Sequence, residues 1–213
     1  MTQLHVEPPG VVGTITADDP YPAEDRGGWQ RIALFAGGIA FAVGNVLHPL
    51  EHNDAAYHSA TWKAAHLTIF FSLPLLVLGL PVIYRRLSTR IHSRLGEIAV
   101  SASVVGLIGI APGTIIETFV APMIGHHTME ELESGGMGVV NAILGGAYLG
   151  GTIALGWAVT RAKLRPRFAG PSLIAGAIVL LGVMSATGPL AGVAIIGATV
   201  LYGLALSALA LKA

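Results

Sequence analysis

Long apolar runs separated by short polar loops constrain this sequence more than any other feature. Most of the six runs are roughly 20 residues long, with the third clearly longer and the fifth shorter, and about 20 residues of α-helix span the roughly 30 Å hydrocarbon core of a bilayer. Only 11% of the 213 residues are charged, whereas soluble domains carry roughly 25%. Backbone groups in lipid must form their hydrogen bonds internally, so such runs fold as helices. The sequence therefore predicts an all-α polytopic membrane protein.

The predicted domain is a bundle of six transmembrane helices over residues 31–213, preceded by a disordered cytoplasmic tail over residues 1–30. The tail is rich in proline and acidic residues, which favours disorder, and it lacks the basic and apolar regions of a secretory signal peptide. Gly146 and Gly150 form a small-xxx-small pair, which is typical of closely packed membrane helices. The predicted spans are 32–50, 64–84, 95–123, 138–160, 171–186 and 190–211.

The distribution of basic residues predicts the orientation of the bundle. All but one of the 12 Lys and Arg residues fall on one side of a six-helix zigzag, and the exception is Lys63. By the positive-inside rule, both termini are cytoplasmic and the protein is a multi-pass protein of the cell membrane. An odd number of spans would distribute the basic loops over both faces. The net charge of zero provides no field that would favour nucleic acid as a partner.

Residues with reactive side chains gather on the opposite, outer side. Glu117 lies in the last apolar turns of the third span, where an ionisable group is unfavourable unless it faces a partner or a wet cavity. His48, His66 and Glu117 end or begin consecutive spans at a similar depth, so we expect their side chains to converge. Six of the eight histidines lie on this side: His48, His52, His58, His66, His126 and His127.

Imidazole and carboxylate groups are suitable ligands for Zn, Fe or Cu. We therefore expect His48, His66 and Glu117 to form an outward-facing metal centre. If the segment before His66 is helical, His58 shares one helix face with it. Two facing imidazoles can also hold a b-type haem. The chain has no cysteine, which excludes thiolate ligands and c-type haem attachment. The expected auxiliary ligands are His52, His58 and His126.

Other functions fit the same residues, and whether the chain is an enzyme stays open. In a metal-free isomerase, hydrolase or cyclase, Glu117 would be the acid or base, with His66 as its partner, acting on an apolar lipid-like substrate. A carrier is disfavoured because the last three spans contain no acid and no histidine for a relay. In an accessory subunit, the histidines would be ordinary interfacial residues. The expected partners are the bilayer, an apolar substrate, and a second copy or another membrane subunit.

Overall fold

The computed structural model describes residues 27–91, 93–183 and 188–211, and every regular element in these ranges is helical. A π-helical turn, Ile116–Val120, joins α4 to α5 without a break. The prediction of an all-α chain is confirmed for these residues. The helices are α1 Gly28–Leu47, α2 Asp54–Tyr57, α3 Ala60–Ser88, α4 Ser93–Ile115, α5 Ala121–Ile124, α6 His126–Ser134, α7 Gly136–Arg161, α8 Ala169–Val183 and α9 Pro189–Leu211.

Five helical segments of the described chain are long and apolar enough to cross a membrane. They are α1, α3, the continuous segment Arg94–Ile124, α7 and α9. The chain is thus a multi-pass membrane protein. The predicted fifth span corresponds to α8, which has 15 residues and a length of about 22 Å. Six spans and cytoplasmic termini stay predictions. The end of the fifth span at 184–186, the tail at 1–26 and His92 lie outside the described residues.

The main helices form a closed ring. α1 packs between α3 and α9, α4 packs between α3 and α7, and α8 packs between α7 and α9. Each of these helices therefore contacts two neighbours and turns part of its surface to the axis of the ring. Leucine and alanine make up most of the buried apolar residues, and Leu34, Leu76, Leu107, Leu155 and Leu206 are fully buried.

Glycine allows a very close approach of α4 and α7. A Cβ atom added to Gly106 would lie 2.3 Å from the Cα atom of Tyr148, so the two backbones are in direct contact, as small residues permit in membrane helices. By contrast, no atom of the described chain lies within 4 Å of a Cβ added at Gly146 or Gly150. The predicted close packing of that pair is wrong within this chain.

The two ends of the ring differ in chemistry. Arg86 donates from Nη1 to the carbonyl oxygen of Leu209 at 2.7 Å and from Nη2 to that of Arg165 at 3.2 Å. The end of α3, the loop before α8 and the end of α9 thus meet at one end, which we call the basic end. The opposite end, which we call the histidine end, contains the loop 48–59 and α6.

Candidate metal centre

His48 reaches the centre because α1 stops there. The following residue is Pro49, and a proline disfavours helical backbone in the residue before it. His48 accordingly has an extended backbone, with φ −68° and ψ 130°, and its ring packs on that of His66 with 4.7 Å between centroids. Its Nδ1 donates to the carbonyl oxygen of Pro49 at 2.8 Å. In the neutral ring, this bond leaves the lone pair on Nε2.

His66 lies in the second turn of α3 and is 1% exposed. Its Nδ1 donates to the carbonyl oxygen of Trp62 at 2.8 Å, so its Nε2 also carries the lone pair when the ring is neutral. The helix begins just before, because the side chain of Ser59 accepts from the backbone N–H of Trp62 at 3.1 Å, as an N-cap residue does.

Glu117 lies in the π-helical turn, a rare element that is frequent at functional sites. The N–H of Ala121 donates to Ile116, and Pro122 has no N–H. The carbonyl of Glu117 therefore lacks both donors that a helix would supply. The indole Nε1 of Trp62 donates to this carbonyl at 2.7 Å instead. This hydrogen bond ties the glutamate to α3.

Three potential ligand atoms meet at this point. Oε2 of Glu117 lies 2.5 Å from Nε2 of His66, and that nitrogen lies 3.3 Å from Nε2 of His48. Both Nδ1–H groups are already donated to carbonyls, so two imidazole lone pairs and a carboxylate face one another. Such a set binds positive charge, either a metal ion or a proton.

His52 adds a fourth donor from the loop after α1. Its ring meets those of His48 and Trp62 edge-on, with centroids 5.2 and 5.1 Å apart. Ligand atoms of His48, His52 and Glu117 all lie within 4.8 Å of one another. Loss of hydration in this packing lowers the pKa of His48 to about 4 and also lowers the pKa of His52. Both rings therefore stay neutral, the metal-binding form, at physiological pH.

A vestibule of about 620 Å³ with several carboxylates in its wall opens onto the centre at the histidine end. Its wall includes Glu51, Glu130 and Glu133 together with Glu117. Burial, followed by the charges of Glu117 and Glu130, raises the pKa of Glu133. Walls of one charge sign concentrate ions of the opposite sign, so this vestibule favours the approach of cations.

His126 lines the vestibule but lies apart from the converging atoms. Its Nδ1 is 3.3 Å from the hydroxyl of Tyr57, and its Nε2 is 3.3 Å from Oε1 of Glu130. Its backbone N–H donates to Oδ1 of Asp54 at 2.7 Å. These contacts dock α6 against the loop after α1, so His126 belongs to the wall of the vestibule.

The structure places His58 away from the centre. The residue is exposed, and its Nδ1 donates to the carbonyl oxygen of Asp54 at 2.8 Å. Because α3 begins only at Ala60, the continuous helix that would put His58 on the face of His66 is not formed. The described chain thus brings together His48, His52, His66 and Glu117 and leaves His58 outside.

Trp62 has a role that its spacing from His66 does not predict. The indole is 1% exposed and contacts the rings of His48, His52 and His66 in addition to donating to Glu117. The sequence contains one indication of this role. Pro122 lacks the backbone N–H that would otherwise donate to the carbonyl of Glu117.

Comparisons of this chain with protein-family models, with curated proteins and with solved structures found no match. Its function is therefore inferred from the geometry of the centre.

Proposed function

We propose that this protein binds one divalent transition-metal ion through His48, His66 and Glu117, with His52 as a fourth donor. The observation that carries the proposal is the meeting of two imidazole lone pairs and one carboxylate oxygen, with both tautomers set by hydrogen bonds to carbonyls. In metal-ligating histidines, a hydrogen bond from the ring nitrogen that does not bind the metal fixes the orientation of the ring.

The distances between the ligand atoms are compatible with a small ion. Two nitrogens at 2.0–2.1 Å from a tetrahedral zinc ion lie about 3.3–3.4 Å apart, and the Nε2 atoms of His48 and His66 are 3.3 Å apart. The carboxylate of Glu117 is 2.5 Å from His66, so it would move outward by about 0.8 Å to become a ligand.

The same distances favour an ion over haem. Two axial nitrogens on opposite sides of one iron would be roughly 4 Å apart, at about 2 Å from the metal each, with the macrocycle between them. The rings of His48 and His66 are in direct contact, which leaves no space for a porphyrin. Imidazole and carboxylate donors suit Zn²⁺, Fe²⁺ and Cu²⁺.

The predicted orientation would place this centre at the outer leaflet of the cell membrane, where the acidic vestibule faces the aqueous phase. With three protein ligands, a catalytic zinc site retains one position for water or substrate. Withdrawal of the exposed His52 would provide that position. The centre would then have the coordination required for metal-assisted chemistry.

Elemental analysis of the purified protein tests the proposal. The protein is purified in mild detergent, loaded with Zn²⁺, passed over a desalting column and analysed by mass spectrometry of the metal. We expect about one equivalent in the wild type and at least a tenfold loss of affinity in His66→Ala and Glu117→Gln. His58→Ala is the matched control and should retain the metal. A wild type without stoichiometric metal, or equal binding by His66→Ala and His58→Ala, would overturn the proposal.

The 2.5 Å contact between His66 and Glu117 supports a second candidate. A proton shared across this pair would make it a metal-free acid–base catalyst for an apolar substrate. This candidate predicts a wild-type protein that remains free of metal after loading, and a turnover of substrate that Glu117→Gln abolishes. The elemental analysis therefore separates the two functions.

A further inference from the structure

A second cavity, of about 360 Å³ and more open to its surroundings than the vestibule, lies between the helices of the ring directly beside the centre. All six helices of the ring contribute to its wall, from Phe41 on α1 to Thr199 on α9. His48, Glu117 and Asn45 line both this cavity and the vestibule. The proposed metal therefore sits where an aqueous, acidic space meets a space inside the bundle.

The cavity changes character away from the centre. Its wall there is mainly hydrocarbon, and Gly113 and Gly145 widen it because they add no side chain. Asn141, an exposed residue, contributes its amide to the wall. The apolar side chains of the wall are Phe41, Ile69, Ile110, Leu144, Leu149 and Leu180.

We propose that this cavity binds the substrate of the centre, and that this substrate is a single-chain amphiphile with a neutral oxygen-bearing end. The inference rests on the proposed metal site. The oxygen end lies at the metal, and the hydrocarbon chain lies in the cavity. The volume is within the range of small-molecule sites, which combine apolar walls with a few polar groups. Apolar walls of this kind hold water poorly, so a hydrocarbon chain is the better occupant.

The charge of the surroundings determines the kind of head group. Glu117 faces the cavity, and the vestibule behind it carries Glu51, Glu130 and Glu133. A divalent ion at the centre offsets the charge of two of these four carboxylates, so the surroundings stay negative and repel an anionic head group, whereas an alcohol, ester or ketone oxygen is not repelled. Asn141 offers either a donor or an acceptor to such an oxygen. The head group is therefore neutral and the chain apolar.

Two glycines permit a test that separates the cavity from the metal site. A Cβ added at Gly145 or at Gly113 meets no described atom within 4 Å apart from its chain neighbours and the backbone of its own helix, and both residues line the cavity. Gly145→Leu and Gly113→Leu therefore fill the cavity without a backbone clash. Gly146 is equally open and exposed but does not line the cavity, so Gly146→Leu is the matched control.

The probes are acetohydroxamic acid, which reaches only the metal, and decanohydroxamic acid, which adds a hydrocarbon chain; both are uncharged in neutral solution and lose the N–OH proton only when they bind the metal. Both are titrated into the Co²⁺-loaded protein in the same detergent, and binding is read from the visible spectrum of the cobalt. We expect acetohydroxamic acid to bind the wild type and every variant alike. Decanohydroxamic acid should bind the wild type and Gly146→Leu at least tenfold more tightly than Gly145→Leu or Gly113→Leu.

Retention of cobalt by the leucine variants reports that they are folded. Equal binding of decanohydroxamic acid by Gly145→Leu, Gly113→Leu and Gly146→Leu, with cobalt retained, would overturn the assignment of the cavity and leave the metal site standing. A wild type that binds no cobalt would overturn the metal site itself, and the inference with it.

Discussion

The hydrogen bond from Trp62 to the carbonyl of Glu117 makes the sharpest prediction about how the centre is built. Trp62→Phe retains an aromatic ring but removes the indole N–H. The carbonyl is then left without a donor, because the N–H of Ala121 bonds to Ile116 and Pro122 has none. A buried acceptor that loses its partner destabilises a fold by about 1–3 kcal/mol, and the smaller ring adds a cavity term.

The assay is reversible unfolding in mixed micelles, or the melting temperature in a single detergent. For a chain of this size, each kcal/mol corresponds to roughly 2–4 °C, so Trp62→Phe should melt at least about 2 °C lower than the wild type. Trp157→Phe is the control because Trp157 is 48% exposed and packs only on Arg161 among the described ring contacts. Its stability should change by less than about 0.5 kcal/mol.

A double-mutant cycle isolates the hydrogen bond from the loss of volume. Pro122→Ala restores an N–H five residues after Glu117, where a π-helical turn places the donor for its carbonyl. In that background, Trp62→Phe should be less destabilising by about 1 kcal/mol or more, within the usual range of coupling energies. Additive effects of the two substitutions would refute the argument that Trp62 replaces the donor that Pro122 lacks.

Three further predictions follow from the site, the topology and the packing. Burial lowers the pKa of His48 to about 4 from an ordinary value of 6.5, so between these pH values the His48 ring is protonated in the unfolded chain but not in the folded one. The melting temperature of chelator-treated protein should therefore fall as the pH falls through this window, and it should fall less in His48→Asn. The chain has no cysteine, so a single introduced cysteine is the only site that a maleimide can label. A membrane-impermeant maleimide should label Ser134→Cys in intact cells but Ser88→Cys only after permeabilisation. The reverse result would contradict the predicted orientation. Gly106→Ala should destabilise the protein by about 1–3 kcal/mol, because its Cβ would lie 2.3 Å from the backbone of α7. In the same unfolding assay, Gly150→Ala should be neutral or stabilising, because alanine favours a helix more than glycine does.

Hydropathy predicted the helices closely because length and apolar composition are local properties. The structure places a continuous span at Arg94–Ile124, where the sequence predicts 95–123, and begins α8 at Ala169, two residues before the predicted start. The small-residue pair on α7 was misassigned for a different reason. Spacing shows that Gly146 and Gly150 share a face, but only the neighbouring helices decide whether that face is covered.

The residues of the centre were predictable only in part. Depth in the membrane, read from the ends of the spans, places His48, His66 and Glu117 at one level, and the structure brings them together. His58 was grouped with His66 on the assumption of a continuous helix, although Ser59 is a helix-start signal that argues against it. Pro122 indicates locally that the carbonyl of Glu117 needs another donor, but that Trp62 supplies it depends on the packing of α3 against the π-helical turn, which no local pattern predicts.

The closed ring explains how helices without ionisable ligands can still serve the centre. All four candidate ligands precede α6, in the loop after α1, on α3 and on the π-helical turn. The helices α7, α8 and α9 form part of the wall of the cavity, through residues that include Asn141, Leu180 and Thr199. Since these helices pack on α4 and α1, they hold the ligand-bearing helices together and enclose the space beside them. Substitutions of cavity-lining residues on α7, α8 and α9 should therefore change which molecule reaches the centre and leave the proposed metal site intact.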